Sequence, residues 1–535
     1  MSDLAAAFLD HHARFRPVDA TFMGLPGHDH RLPPVAARTE DEERRSLLAL
    51  RARLEGGPEP ADAAGRIDRR FVAAQVALGL AELDRRPRFA DPSWWTGEAI
   101  FAIVSLLLPQ SLPADADAVA ARLAGIPDFL AAGRRRLART AVPRGWTDRA
   151  VREAGAFARF LTHEGRLHGS WRAEWNPAAD AAARAAVDFA GTLAGLPDGH
   201  AACGPDHLDL IMRTVHGFAF GAAEATKAAE ATFAELTVRL EETARRIDPT
   251  RGWAEQIAAL SDVGPATDAV PAAFAEWHRR VMEAGSALVT PATDYGLDFP
   301  VMDPAFRDLA KATYFLSYRC PPAGRPGSGS VYWVAAPGPD DLAYRRANSL
   351  ATIKSTHAIH HGSIGHHTQN ARARSAASAI ARVAGTDCAS GIAMLSAGTM
   401  VEGWACYVQG LAFEVPGIHD PVEELVQIHG DRRNAASVLV DARIHTGEWT
   451  LEEAARFYRE EAGFPAVRVE GEIVRNSMFP GSRLMYRLGV EAIADLRRRW
   501  TGDLRSFHDT LIGFGHVPIA WIAEELARAG HIDRT

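Results

Sequence analysis

The chain has 535 residues, of which 47% are hydrophobic and 24% are charged, and its formal net charge is −8. These values are ordinary for a soluble globular protein, and the length suggests roughly two to four domain-sized units. Because nucleic-acid-binding domains are usually strongly basic, the charge argues against a nucleic-acid partner.

The amino-terminal stretch, residues 1–12, lacks a basic segment followed by an apolar run, so no signal peptide is expected. No stretch reaches the length of about 18 uncharged apolar residues that a membrane span needs. We therefore expect a cytoplasmic protein without a membrane partner. The cysteines lack C-x-x-C spacing, which favours free buried thiols over disulfides or a sulfur metal site. These cysteines are Cys203, Cys320, Cys388 and Cys406.

Much of the chain shows apolar residues at steps of three and four, the pattern of amphipathic helices. The clearest stretches are 117–140, 148–165, 178–196, 224–247 and 268–289. Prolines and glycines, such as Pro143 and Pro265, mark breaks between helices. The predicted fold class is mostly α.

The segment 291–345 differs from the rest, since it is rich in proline and glycine and contains the aromatic, β-branched run Ser330–Ala335. A small β element is predicted there. It would begin a carboxy-terminal region, 291–535, that follows an amino-terminal helical region, 1–290. The sequence leaves open whether the two regions form one continuous body.

Histidines are concentrated in one segment, where five of the 21 fall within residues 357–367. Neutral imidazole is a common ligand of zinc, iron and copper, so a metal site is predicted. The alternative is a set of hydrogen-bonded histidines on a helix surface. The five are His357, His360, His361, His366 and His367.

The spacing of these histidines offers two pairs of ligands. In a regular helix His357 and His361 share a face, so periodicity favours this pair. His360 and His366 can converge only if the helix bends or ends between them, and the glycines at 362 and 365 permit such a backbone.

A third ligand candidate is Glu402, which lies in an otherwise apolar and aromatic stretch. A buried carboxylate needs a partner charge, a metal or a proton. Two histidines and this carboxylate would form a metal site with open positions for water and substrate. The alternative is a glutamate near a helix amino terminus, where the helix dipole favours it.

The blocks His360–Gln369 and Glu402–Gln409 resemble the H-E-A-x-P-G-H-H-x-Q and E-G-W-A-L-Y-A-E blocks of the bacterial "domain of unknown function 885" family. Its members resemble zinc metallopeptidases of the gluzincin type. Further matching blocks occur in the same order over nearly the whole chain. They begin at Pro17, Leu439, Glu472, Pro480, Tyr486 and Phe507. The resemblance implies a large helical, zincin-like fold.

The resemblance also implies a ligand set, namely His360, His366 and Glu402, with His361 and His367 as reserve ligands. Zinc is the metal it favours, and iron or another divalent metal is an alternative. The implied site differs from the family pattern at several positions. His361 replaces the catalytic glutamate, Asn476 a tyrosine, Gln409 a glutamate, and Ser482-Arg483 the pair Gln-Ala.

Three functions are compatible with this site. The first is a metal-dependent hydrolase for a small amide, ester or peptide-like substrate, unlike a standard peptidase, with His361 as base. Arg475, Tyr486 and Arg483 would bind a substrate carboxylate or oxyanion, although surface ion pairing is an equal alternative for the arginines. The second is a non-hydrolytic metalloenzyme, such as an iron enzyme with two histidines and one glutamate. The third is a catalytically inactive binding protein.

Four other side chains near these motifs have simpler interpretations. Trp404 and Tyr407 are expected in the core rather than against a substrate. Asp441 and His445, four residues apart on a predicted helix, either orient a metal ligand or form a structural hydrogen bond.

Overall fold

The computed structural model describes residues 1–313, 317–325, 327, 329–386 and 398–533. The first helices are α1 (Asp3–Phe15), α2 (Pro17–Met23), α3 (Thr39–Gly56), α4 (Ala63–Arg85), α5 (Pro92–Leu107), α6 (Ala116–Leu137), α7 (Arg144–Thr162), α8 (Asn176–Leu193), α9 (Pro205–Leu210), α10 (Ala222–Ile247), α11 (Trp253–Ser261), α12 (Val270–Gly285) and α13 (Arg307–Ala312). The later helices are α14 (Asp341–Ala347), α15 (Leu350–Thr352), α16 (Thr368–Ala373), α17 (Gly398–Leu411), α18 (Glu424–Thr446), α19 (Leu451–Glu460), α20 (Ala466–Met478), α21 (Leu484–Arg499), α22 (Leu504–Gly513) and α23 (Ile519–Arg528). The strands are β1 (Gly296–Asp298), β2 (Tyr318–Arg319) and β3 (Gly329–Tyr332).

This architecture confirms the mostly helical class and the small β element. The five stretches with helical periodicity correspond to α6, α7, α8, α10 and α12, and all three strands fall within 291–345. β1 and β3 pair in parallel, with Leu297 opposite Ser330. Several helices begin at a residue whose side chain accepts a backbone N–H, as Asp62 does before α4 and Thr450 before α19.

The described chain divides into two compact units of interleaved segments. Unit 1 comprises Met1–Ala201, Met302–Ser328 and Ser378–Leu395, and unit 2 comprises Ala202–Val301, Gly329–Ala377 and Ser396–Thr535. The boundary near residue 290 expected from the sequence stays a prediction.

Unit 1 is organised around α5, whose residues are buried along its whole length. Arg122 of α6 is fully buried beside it and donates to the Ala102 carbonyl at 2.8 Å and the Thr21 hydroxyl at 2.7 Å. These hydrogen bonds satisfy a guanidinium that would otherwise be costly to bury.

Unit 2 contains two helix pairs that matter for the histidine segment. α10 packs on α18 through buried side chains such as Leu240 and Leu425. α17 crosses α21 at two glycines, where a Cβ on Gly403 would lie 2.7 Å from the Cα of Gly489. Only a glycine pair permits this approach, which places the first turns of α17 directly against α21.

Two expectations concern the chain as a whole, namely the lack of a membrane span and of disulfides. Among the described residues, no helix is both long and apolar enough to cross a lipid bilayer. No disulfide joins Cys203, Cys320 and Cys406, of which the first and last are buried and Cys320 is partly exposed. Cys388 lies outside the described residues.

Candidate metal centre

The histidine segment of unit 2 is not a regular α-helix. Ile353–His361 and Ser363–His367 are π-helical, with a break between them. The backbone leaves helical geometry at Gly362 (φ −93°, ψ −152°) and Gly365 (φ −81°, ψ −132°), and Ser363 between them has a φ of 26°. The bend that the two glycines allow in the sequence is therefore present.

Side chains from two other helices hold this bend. His278 of α12 accepts the Ser363 N–H at Nδ1, at 3.0 Å, and its carbonyl accepts the Ser363 hydroxyl at 3.0 Å. The indole N–H of Trp404 in α17 donates to the Ile364 carbonyl at 2.9 Å. These contacts stabilise the positive φ of Ser363, which is unfavourable for a residue with a Cβ.

The bend brings the side chains of His360 and His366 to Glu402 on α17. The Oε2 atom of Glu402 lies 3.5 Å from Nε2 of His360 and 3.8 Å from Nε2 of His366. One ligand atom from each residue lies within 4.8 Å of the others. These three residues form a candidate metal centre, hereafter the His-His-Glu cluster.

Nδ1 of each of these two histidines is hydrogen-bonded to the side-chain amide of a glutamine. Nδ1 of His360 is 3.1 Å from Oε1 of Gln409, and Nδ1 of His366 is 3.2 Å from Oε1 of Gln369. An amide oxygen only accepts, so each imidazole carries its proton on Nδ1 and, when neutral, presents a lone pair at Nε2 to Glu402.

Glu402 is ionised in this environment. Burial by itself would raise its pKa, but hydrogen bonds from, and positive charge on, the adjacent His360 and His366 outweigh burial and hold the pKa well below its usual range. When both imidazoles are instead neutral with the proton on Nδ1, the centre presents a carboxylate oxygen and two nitrogen atoms that can all accept. Only a cation, either a proton or a metal ion, can bring such atoms together at low cost.

The separations of Glu402 from the two histidines suit a small divalent ion. Ligand atoms at about 2.0–2.2 Å from a tetrahedral zinc ion lie about 3.4 Å from one another, close to the two separations from Glu402. Two nitrogen atoms and one carboxylate oxygen are a usual ligand set for catalytic zinc, which keeps a fourth position for water or substrate. The residues present therefore fit the expected metal.

His361 lies beside the cluster rather than in it. Its ring centroid is 4.7 Å from that of His360 and 5.7 Å from that of His366, and its Nδ1 donates to the Thr356 carbonyl at 2.9 Å. Burial and the neighbouring histidines hold the pKa of His361 well below its usual range, so its ring is neutral at neutral pH.

The pair favoured by periodicity, His357 and His361, does not belong to the group of three potential metal ligands found among the described residues. Nδ1 of His357 lies 2.6 Å from the Tyr332 hydroxyl, and its ring stacks on Phe274. That preference assumed α-helical geometry, whereas this segment is π-helical, and π-helical hydrogen bonds join residues five apart.

The reserve ligand His367 also lies away from the cluster. Its Nε2 bonds to the Tyr295 carbonyl at 3.0 Å, and its ring stacks on that of Tyr295. These contacts give His367 a structural role in the described chain.

The proposed substrate-binding residues have different environments. Burial and the charge of Glu402 raise the pKa of Tyr486, so its hydroxyl stays protonated near the cluster. Arg475 is partly exposed and interacts electrostatically with Tyr486 and Glu472. Arg483 is buried in an ion pair with Glu472 and lies against the Tyr486 ring. Of the two arginines, Arg475 is therefore better placed to meet a ligand.

Other expectations near the cluster can be compared with the structure. Trp404 and Tyr407 are buried in the core, as expected. Asp441 accepts the backbone N–H groups of Gly481, Arg483 and Leu484 at 3.0, 2.8 and 3.1 Å. These hydrogen bonds hold the turn before Tyr486, and the role of the Asp441–His445 pair stays a prediction.

Two histidines near the cluster were not predicted as site residues from the sequence. His278 supports the bend from α12, and His516 lies close enough to His366 for their charges to interact. Burial, and to a smaller extent His366, lowers the pKa of His516 to about 3. His278 belongs to no local motif, and His516 lies within the block that begins at Phe507, but only the tertiary structure shows that they are near the cluster.

Comparisons with known proteins support the fold and the family pattern. A family model described as "Bacterial protein of unknown function (DUF885)" matches residues 17–526. A solved structure from Shewanella oneidensis, provisionally described as a lipoprotein of unknown function, is 18% identical and has a TM-score of 0.77, with 98% of each chain covered. One from Colwellia psychrerythraea, also provisionally described as a lipoprotein, is 16% identical over 98% of each chain, with a TM-score of 0.74. Among curated proteins, none matches the chain.

Proposed function

This chain belongs to the bacterial DUF885 family of proteins of unknown function, and we propose that it is a metal-dependent hydrolase acting on a small amide, ester or peptide-like substrate. Zinc is the metal we propose. A relationship to zinc metallopeptidases of the gluzincin type, with His361 in place of their glutamate, is part of the proposal.

One observation carries the proposal, namely the convergence of three accepting atoms in the His-His-Glu cluster. His360 and His366 each form a hydrogen bond from Nδ1 to a glutamine amide oxygen. In the neutral rings the Nε2 lone pairs therefore face the carboxylate of Glu402. A structural hydrogen-bond network would pair donors with acceptors. This arrangement instead favours a bound cation, and zinc would supply a Lewis acid that polarises a carbonyl and acidifies water.

His361 is proposed as the general base. Its Nδ1 donates to Thr356, so a neutral ring has its accepting nitrogen, Nε2, on the other side. The ring is within 6 Å of both ligand histidines by centroid distance. A neutral imidazole in this position can accept a proton from the attacking water, as a carboxylate would.

Tyr486 and Arg475 are proposed to bind the substrate. The raised pKa of Tyr486 keeps its hydroxyl as a donor, which can stabilise an oxyanion that develops near Glu402. Arg475 would bind a substrate carboxylate through its planar guanidinium. A small molecule or a short peptide is the partner that these groups suit.

The decisive experiment combines metal analysis with one substitution. We expect stoichiometric zinc in protein purified without added metal, and hydrolysis of at least one member of a panel of dipeptides and aminoacyl anilides. His361→Ala should keep the metal and lose at least about 100-fold in turnover. His163→Ala, at an exposed histidine, is the control and should change neither quantity. Unchanged turnover in His361→Ala removes this residue from the mechanism.

A second function, a non-hydrolytic metalloenzyme, is favoured by the additional imidazole of His361 next to two histidines and one carboxylate. Such a set also suits iron, which supports oxidative chemistry. Stoichiometric iron or copper, with loss of metal in His361→Ala, would favour this function over the hydrolase. Absence of any metal and of any conversion would leave a binding protein that lacks catalysis.

A further inference from the structure

The two glutamines that contact the ligand histidines are themselves held in a fixed orientation. The amide nitrogen of Gln409 donates to the Ser355 hydroxyl at 2.7 Å and to the Ser355 carbonyl at 3.3 Å. The amide nitrogen of Gln369 donates to the Met400 carbonyl at 2.9 Å. The side chain of Gln369 is fully buried and that of Gln409 is partly buried.

These contacts remove the usual ambiguity between the oxygen and nitrogen of an amide. A backbone carbonyl can only accept, so the atom that faces it has to be the amide nitrogen. The amide oxygens therefore face His360 and His366. Each glutamine favours a proton on Nδ1 of its histidine, so that the neutral ring carries its lone pair on Nε2.

The charge of these two residues is also informative. A histidine that binds a metal often donates to a carboxylate, which raises the basicity of the ring. Here both acceptors are neutral glutamine amides. Among the two histidines, the two glutamines and Glu402, only Glu402 therefore supplies a negative charge. A neutral acceptor orients the ring without adding charge.

We propose that Gln409 and Gln369 are positioning residues that set the histidine tautomers, and that their neutrality keeps metal affinity below that of a carboxylate-supported site. This inference rests on the proposed metal-dependent function. A less electron-rich ligand set leaves more positive charge on the ion, which favours polarisation of a substrate carbonyl.

The test measures zinc affinity in the full chain by competition with a chelating dye. Gln409→Ala should weaken zinc binding by about 10–100-fold, because His360 then loses the partner that fixes its tautomer. Gln409→Glu should bind zinc about tenfold more tightly than the wild-type chain. With cobalt in place of zinc, both variants should shift the visible absorption bands, which a purely structural defect elsewhere would leave in place.

Gln256→Ala is the matched control. Gln256 is also buried in unit 2, and its amide nitrogen donates to three backbone carbonyls, including that of Ala244 at 2.9 Å. This variant should lose stability while keeping zinc affinity and the cobalt spectrum. Circular dichroism and the melting temperature verify that each variant folds.

The outcomes separate the inference from the function on which it rests. If the wild-type chain binds no divalent metal, the proposed function fails. If it binds zinc, but Gln409→Ala matches Gln256→Ala or Gln409→Glu binds no more tightly than wild type, the inference is overturned. If Gln409→Glu unfolds, Ser355→Ala is used in its place. This variant removes the hydroxyl to which the amide nitrogen of Gln409 donates. It should weaken zinc binding, but less than Gln409→Ala does.

Discussion

Gly403 and Gly489 face each other where α17 crosses α21, and a Cβ on Gly403 would lie 2.7 Å from the Cα of Gly489. This contact is directly next to Glu402 in sequence, so the closeness of the helices determines the position of the carboxylate. Real Cβ atoms almost never approach a backbone atom so closely. A methyl group at residue 403 would push α17 away from α21.

Gly403→Ala is therefore expected to affect both stability and metal binding. Overpacking at this crossing should cost about 1–3 kcal/mol, and the displaced Glu402 should bind zinc more weakly. Thermal unfolding and zinc competition measure the two effects. Gly410→Ala is the matched control on the same helix, since a Cβ there meets nothing within 4 Å. It should be neutral or stabilising by up to about 1 kcal/mol. Equal behaviour of the two variants would contradict the prediction.

Much of the helical architecture was predictable, because it depends on local patterns. Apolar periodicity located α6, α7, α8, α10 and α12, although their ends shift by a few residues. Those ends depend on capping contacts that periodicity does not contain. The interleaving of chain segments into two units was not predictable, since it depends on long-range packing.

The site was predictable in its residue types and only partly in its geometry. Glu402 stood out as a carboxylate among apolar neighbours, and the glycines at 362 and 365 allowed a bend. Periodicity nevertheless favoured His357 because nothing local indicates a π-helix. The bend depends on His278, which is remote in sequence. The role of Gln369 depends on a contact with the Met400 carbonyl, which also forms only in the folded chain.

Glu402→Gln tests the charge at the centre without changing the shape of the side chain. The neutral amide should reduce zinc affinity by at least about 100-fold, because it removes the negative charge that faces Nε2 of His360 and His366. Metal content after dialysis and zinc competition are the measurements. Glu235→Gln, at an exposed glutamate of α10, serves as the control. Zinc bound equally tightly by Glu402→Gln would place the metal elsewhere in the chain.

Zinc should also stabilise the folded chain. A ligand that binds only the folded state at one hundred times its dissociation constant adds about 2.7 kcal/mol to the free energy of unfolding. The melting temperature should therefore rise with added zinc and fall after treatment with a chelator. His360→Ala should abolish the rise, whereas His163→Ala should retain it. A rise of the same size in His360→Ala would argue against the His-His-Glu cluster as the binding site.

A separate expectation concerns Glu98, which lies on the buried helix α5 of unit 1. Neither carboxylate oxygen has a hydrogen-bond partner in the part of the chain that the structure describes. Burial, together with the nearby Asp19, raises the pKa of Glu98 from 4.5 to about 8, although Arg88, Arg16 and Arg122 oppose the shift. Glu98 is therefore protonated in the folded chain at neutral pH.

The sign of the pH dependence follows from this raised pKa. Between about pH 4.5 and pH 8 the folded chain holds a proton on Glu98 that the unfolded chain has released. The contribution of Glu98 to stability is present at low pH and is lost as the pH rises, by up to about 1.4 kcal/mol for each pH unit.

Glu98→Gln mimics the protonated form and should remove this slope. Its melting temperature should match the wild type near pH 5 and exceed it at pH 8. Glu55→Gln, an exposed change in the same unit, should follow the wild-type profile. If Glu98→Gln also follows that profile, the carboxyl group is ionised in the folded chain.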